Sequence, residues 1–192
     1  MNREKNNTVY SITLVGLMAA MCFVATFLRI DIPTPMGKTM LHLGNVMCLL
    51  SGLVLGPVKG GLAAGLGSGF FDLFDPAYIA GAPFTFAFKF CMAFVCGAIA
   101  HKKLDSRPRR IAGAVLGSLS YVVLYVGKNV AEGLWFYRQP FKTVLTVAAT
   151  KLSVSLTNGL IAVVVSLLLF GVMRPILKKA GVFDRLQTRK ER

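Results

Sequence analysis

Acidic residues are scarce in this chain: 8 Asp and Glu stand against 22 Lys and Arg in 192 residues, giving a net charge of +14. Such an excess on a soluble fold would suggest nucleic acid, but that reading needs a basic face, and here the cations cluster at the ends of apolar segments. No RNA-binding signature or zinc-finger spacing is present, so a nucleic-acid partner is not expected. Cysteine is also sparse. Cys22, Cys48, Cys91 and Cys96 all lie in apolar stretches and form no CxxC pair, which excludes a disulfide framework and reads as small hydrophobes. There are 2 histidines, and neither has a second histidine or a cysteine near enough in sequence to suggest a metal. A GxxxxGK[ST] phosphate loop is missing, so ATP hydrolysis by that route is excluded.

What fills the chain is apolar. Hydrophobic residues make up 55% of it and the mean hydropathy is +0.63, the composition of a polytopic membrane protein. The expected fold is all-α: one integral-membrane domain over residues 1–192, a bundle of six transmembrane helices. The predicted spans are 8–28, 41–56, 57–73, 84–101, 110–137 and 142–173. The second and third meet at Gly56-Pro57, where proline disfavours helix at the residue before it. The N-terminus runs into the first span without a small-residue cleavage site, which reads as a transmembrane helix rather than a removed signal peptide.

Charge sets the orientation, because cytoplasmic segments hold the positive residues. With the N-terminus inside, the cytoplasmic segments carry Arg3, Lys5, Lys59, the 102–110 loop with its five cations, and a tail with Arg174, Lys178, Lys179, Arg185, Arg189, Lys190 and Arg192. The external segments carry only Arg29, Lys38, Arg138 and Lys142. Both termini are therefore expected in the cytoplasm.

Four charges remain inside apolar segments: Lys89, Lys128, Glu132 and Lys151. At about 1.5 Å rise per residue all four fall in the outer half of their helices. A charge near mid-bilayer costs about 2.5–3.5 kcal/mol on insertion scales, which argues for a hydrated site over four unrelated side chains. The alternative is that Lys128 and Glu132 neutralise each other while Lys89 and Lys151 snorkel to the headgroups. Helical spacing groups further residues with them. Lys128, Asn129 and Glu132 share a face that continues to Trp135 and Phe136, and Lys151, Ser155 and Asn158 form a second polar stripe. Thr85 and Lys89 pair on the fourth helix beside Phe84 and Phe88, while His42 and Asn45, at the outer start of the second, can reach the same place. Aromatics beside charges suit a small, flat, polar ring, although Trp135 and Tyr137 also sit where an interfacial belt would place them.

The external segment Arg29–Lys38 is stiffened by Pro33 and Pro35 and loosened at Gly37, as a lid would be. Asp72, in the second external loop, either pairs with a site lysine or ends the third helix. Small residues recur every four positions at Gly61, Gly65 and Gly69 and at Gly16 and Ala20, a spacing that lets helices approach closely.

Several stretches together resemble the substrate-binding S components of energy-coupling factor (ECF) vitamin transporters. They are Ile32-Pro-Thr-Pro, Leu41-His-Leu-Gly-Asn45, Leu53-Val-Leu-Gly-Pro57, Gly65-Leu-Gly-Ser68 and Ala82-Pro-Phe84, together with the helix count and length. The resemblance implies a six-helix protein that captures a vitamin from outside, with the first loop capping a site lined by helices four to six. It also implies docking, through Gly16 and Ala20 of the first helix, onto a membrane coupling protein driven by two cytoplasmic ATPases. The expected contacts are then Lys89, Asn129, Glu132, Lys151, Asn158, His42 and Asn45, with Trp135 as a stacking surface. No catalytic residue, metal or cofactor is expected. A three-lysine site favours an electron-rich or anionic heteroaromatic, pyridoxine or hydroxymethylpyrimidine ahead of riboflavin. Two other classes compete: a self-sufficient secondary carrier, which would call for an internal repeat and a coupling-ion site, and a membrane-embedded enzyme using Glu132 as acid or base.

Overall fold

The computed structural model describes residues 2–35 and 37–187. Arg189, Lys190 and Arg192 of the basic tail lie outside the described residues, as do Met36 of the first loop and the side chains of Arg3 and Lys5. The chain forms α1 (Asn2–Phe27), a hairpin of β1 (Arg29–Thr34) and β2 (Gly37–His42), α2 (Gly44–Leu55), α3 (Pro57–Asp72), α4 (Ala82–Ala100), α5 (Arg107–Ala131), α6 (Phe141–Lys179) and α7 (Val182–Gln187). A single 3-10 turn, Ile79–Gly81, precedes α4, and α5 runs into a π turn at Glu132–Phe136.

The hairpin differs from the expected loop and moves the start of the second helix from 41 to 44. Its antiparallel register pairs Arg29 with His42 and Thr34 with Gly37. Gly37 takes φ +98°, a left-handed turn conformation that glycine adopts without steric cost. At the other end of α2 the chain turns through Gly56, at φ +82°, and Pro57 opens α3 at the position where its missing N–H is least costly.

Among the described residues, four helical stretches are long and apolar enough to cross a membrane: Asn7–Phe27, Ile79–Ala100, Arg107–Phe136 and Phe141–Lys179. With 12 and 16 residues, α2 and α3 are about 18 and 24 Å long, short of a hydrocarbon core of about 30 Å. Conversely α6, with 39 residues, reaches about 58 Å and continues past Pro175 to Lys179 instead of stopping at 173.

Every residue of α2 is buried, because α1, α3, α4 and α6 surround it. Leu49, Leu50, Leu53, Met92 and Phe170 form the centre of the core. Bare glycine surfaces permit these helices to close: a Cβ on Gly52 would lie 2.5 Å from the Ala93 carbonyl oxygen, and one on Gly117 would lie 2.6 Å from that of Met92. The stripe Gly61, Gly65 and Gly69 faces Phe90 and Phe86 of α4, which makes it a packing seam. Gly16 and Ala20, by contrast, are exposed on α1, and a Cβ on Gly16 would touch nothing within 4 Å.

Candidate functional site

Beneath the hairpin lies a cavity of about 50 Å³. Its roof is Thr39, Met40 and His42 of β2, and its walls come from Thr26, Ser68 and Asp72, from Thr85 and Lys89 of α4, from Tyr121 and Tyr125 of α5, and from Ser155 and Asn158 of α6; Tyr78 closes the side. Each helical pair is separated by three or four residues, so each helix turns one stripe inward.

Lys89 is the central charge, 2% exposed. Its ammonium donates to Asn45 Oδ1 and stands 3.7 Å from the centroid of the Tyr121 ring. Asn45 Nδ2, itself buried, has no hydrogen-bond partner among the described residues. An unmatched buried donor of this kind costs about 1–3 kcal/mol. Tyr121 and Tyr125 are stacked, with centroids 5.7 Å apart and planes 12° from parallel, and present a flat aromatic wall. The Tyr125 hydroxyl lies 3.3 Å from Thr39 Oγ1, joining that wall to the roof.

The roof is pinned by Asn158. Its Oδ1 accepts from the His42 backbone N–H at 2.9 Å, and its Nδ2 donates to the Met40 carbonyl at 2.7 Å. His42 Nδ1 accepts from the Gly44 N–H at 3.1 Å, which sets the ring neutral with its proton on Nε2. Burial, with Lys89 and Arg29 adding to it, holds the His42 imidazole well below its usual range. At the rim, Arg29 Nη2 and Lys38 Nζ both donate to Asp75 Oδ2, at 2.7 and 3.1 Å, and Lys38 also reaches Asp31 at 2.9 Å. Burial pushes Asp75 up, but the Ala77 N–H, Arg29 and Lys38 together hold its carboxyl below the usual range. The Asp31 contact, with Asp75 adding to it, raises Lys38. In the segment after α3 it is thus Asp75 that pairs with cations, while Asp72 is the last residue of α3 and lines the cavity.

Of the expected contacts, Lys89, His42 and Asn158 line the cavity, and Asn45 joins them through Lys89. Lys151 and Asn129 form a layer behind the wall. Lys151 Nζ donates to Asn129 Oδ1 and lies 5.8 Å from the Tyr125 centroid, and Asn129 Nδ2 donates to the Tyr125 carbonyl at 2.7 Å. Glu132 does not reach the cavity; it pairs with Lys128 at 2.7 Å, and Lys128 lies 4.9 Å from the Phe84 centroid. Trp135 is 80% exposed on the π turn, beside an equally exposed Phe136, and does not line the cavity. The π turn follows the inward stripe of α5 and carries the indole outward, away from this cavity. Tyr121 and Tyr125 escaped the sequence reading. Their four-residue spacing to each other and to Asn129 was the available signal.

Residues 6–175 match the family model described as ECF-type riboflavin transporter, S component. Among solved structures, the fold is similar to one described as "Structure and mechanism of the S component of a bacterial ECF transporter", with a TM-score of 0.72 and 21% identity over 89% of this chain and 99% of that chain. An uncharacterized protein of Pyrococcus woesei is 32% identical over 101 residues, or 53% of this chain. The match covers 66% of that relative, just under two thirds of its length.

Proposed function

The chain belongs to the family of ECF-type riboflavin transporter S components, multi-pass cell-membrane subunits that capture a vitamin and work with a coupling protein and ATPases, and on that premise we propose that the hairpin-roofed cavity is its capture site. The observation that carries this reading is the buried Lys89 beside the stacked tyrosines, under a roof held by Asn158. In this reading the ring of the vitamin lies against Tyr121 and Tyr125. Lys89, held by Asn45, donates to its electron-rich substituents, and Ser155, Thr85 and Asp72 meet its hydroxyls or amine. Lys151 and Asn129 hold Tyr125 in place from behind.

Size favours a single ring. A cavity of about 50 Å³ has room for about three to five waters at about 10–15 Å³ each. Every candidate vitamin is larger than this, and a single ring such as pyridoxine or hydroxymethylpyrimidine needs less opening of the roof than a three-ring flavin with a sugar-alcohol tail. Riboflavin is the second reading, favoured by the family match, and it requires the hairpin to lift further. Lys38, Arg29 and Asp75 form the clasp that opens for either.

We further propose six crossings with both termini in the cytoplasm. Lys59 meets Ser11 and the Leu186 carbonyl, Arg185 lies over Tyr10, and Asp105 of the 102–110 loop pairs with Arg174, which supports an excess of cations at one end of the bundle, as inside segments require. The open face of α1 at Gly16 and Ala20 is the proposed seat of the coupling protein.

Titration calorimetry of the detergent-purified chain with pyridoxine, hydroxymethylpyrimidine and riboflavin tests the ligand. Saturable one-to-one binding of a single-ring compound in preference to riboflavin is expected. The reverse preference selects the second reading, and no saturable binding of any of the three overturns both.

A further inference from the structure

A second concavity lies at the opposite end of the bundle, between α5 and α6, with a volume of about 720 Å³. That is within the roughly 300–1,000 Å³ of small-molecule sites. Its lining is of two kinds. Val164, Leu168 and Val172 succeed one another every four residues on α6 and face Ile111 of α5, all of them exposed. This apolar stretch runs about 12 Å along the helix. At its end away from the hairpin stand Arg107, Arg110 and Arg174.

Only one of these arginines is neutralised. Arg174 pairs with Asp105, whereas Arg107 and Arg110 make no ion pair among the described residues, and Arg110 rests 5.6 Å from the Phe170 centroid. Lys102, Lys103 and Arg109 add to the same field. The groove therefore joins an exposed apolar trough on two helices long and apolar enough to cross a membrane to a cationic end at the start of α5.

We propose that this groove binds an anionic phospholipid, with an acyl chain along Val164, Leu168 and Val172 and the phosphate held by the forked donors of Arg107 and Arg110. Charge complementarity selects the occupant. Arginine suits a phosphodiester because its planar donors meet two oxygens at once, and a basic pocket between spanning helices is where an acidic headgroup is attracted most. Gly171 lines the groove with open space around it, so the trough has room for a chain that a larger side chain would displace.

Native mass spectrometry of the full chain, released from micelles holding equal phosphatidylglycerol and phosphatidylcholine, tests the proposal. The wild type is expected to retain phosphatidylglycerol preferentially, with a preference of about fivefold per arginine. R107Q/R110Q lowers that preference by about 25-fold. G171L reduces phosphatidylglycerol retention with every arginine still present, and so separates the trough from the charge. K178Q/K179Q, which removes the same charge outside the groove, leaves the preference intact. Phosphatidylglycerol held no better than phosphatidylcholine by the wild type, as a groove kept for a protein helix would give, overturns the proposal. So does an equal loss in the K178Q/K179Q protein.

Discussion

Replacing Lys89 by methionine keeps an unbranched side chain of similar length on α4 and removes the buried ammonium that touches the cavity. In the wild type the ammonium reaches Asn45 Oδ1 and sits 3.7 Å from the Tyr121 centroid. A hydrogen bond from a charged donor contributes about 1.5–3 kcal/mol, so losing it to the ligand predicts Kd weakened by about 10- to 150-fold. Stability is expected to move much less. The variant strands Asn45 Oδ1, at a cost of about 1–3 kcal/mol, but it also removes a desolvated cation, and apolar replacements of buried charges are often neutral or better. Calorimetric titration beside a thermal melt separates the two effects. Trp135→Ala is the control: that side chain is 80% exposed outside the cavity and its loss is expected to leave Kd within about twofold. A Lys89→Met protein that melts as the wild type does and binds within about threefold refutes the assignment of Lys89 as the ligand's donor.

Asn158→Ala removes both side-chain bonds to the hairpin and strands the His42 N–H and the Met40 carbonyl, at about 1–3 kcal/mol each. Faster hydrogen exchange at Thr39–His42, with α2 unchanged, is the expected outcome; unchanged exchange contradicts the pinning role. Gly52→Val forces a side chain against the Ala93 carbonyl at a buried crossing and should cost about 1–3 kcal/mol in the melt, whereas Gly16→Val on the open face of α1 should leave the melt of the isolated chain within about 0.5 kcal/mol. Closure of the hairpin should also depend on pH. Asp75 and His42 are depressed in the closed state, so the open state takes up protons first and closure weakens as pH falls through the ordinary histidine and then carboxylate ranges. Lys38 is raised, so its contribution is complete below the ordinary lysine range and is lost as pH rises through its elevated value. Exchange at the hairpin amides, corrected for intrinsic rates, should be slowest between the histidine and lysine ranges, and a flat profile would contradict the clasp.

The helices were legible because their apolar lengths, and the break at Gly56-Pro57, are local signals. The hairpin was not read, although Ile30 and Ile32 alternate with polar neighbours ahead of a Pro-X-Gly turn, because the two prolines suggested an irregular loop. Lys89, His42, Asn45 and Asn158 stood out as polar groups in apolar surroundings. What helical spacing could not show was which stripe points inward once α5 ends in a π turn: Asn129 falls behind Tyr125, Glu132 pairs locally, and Trp135 faces outward. The stacked tyrosines looked like ordinary span residues, and only the meeting of α4, α5 and β2 makes them a wall. Likewise the glycine stripe of α3 and the small residues of α1 share one spacing, and only the neighbours distinguish a filled seam from an open face.

The central claim is that a vitamin is captured under the hairpin, and a hydrogen-exchange footprint with and without saturating ligand tests it most directly. The account predicts strong protection at Thr39–His42 and at the Thr85 to Lys89 turn of α4, with no change between Arg107 and Ile111 at the far groove. Protection at that groove with the hairpin unaltered would contradict it.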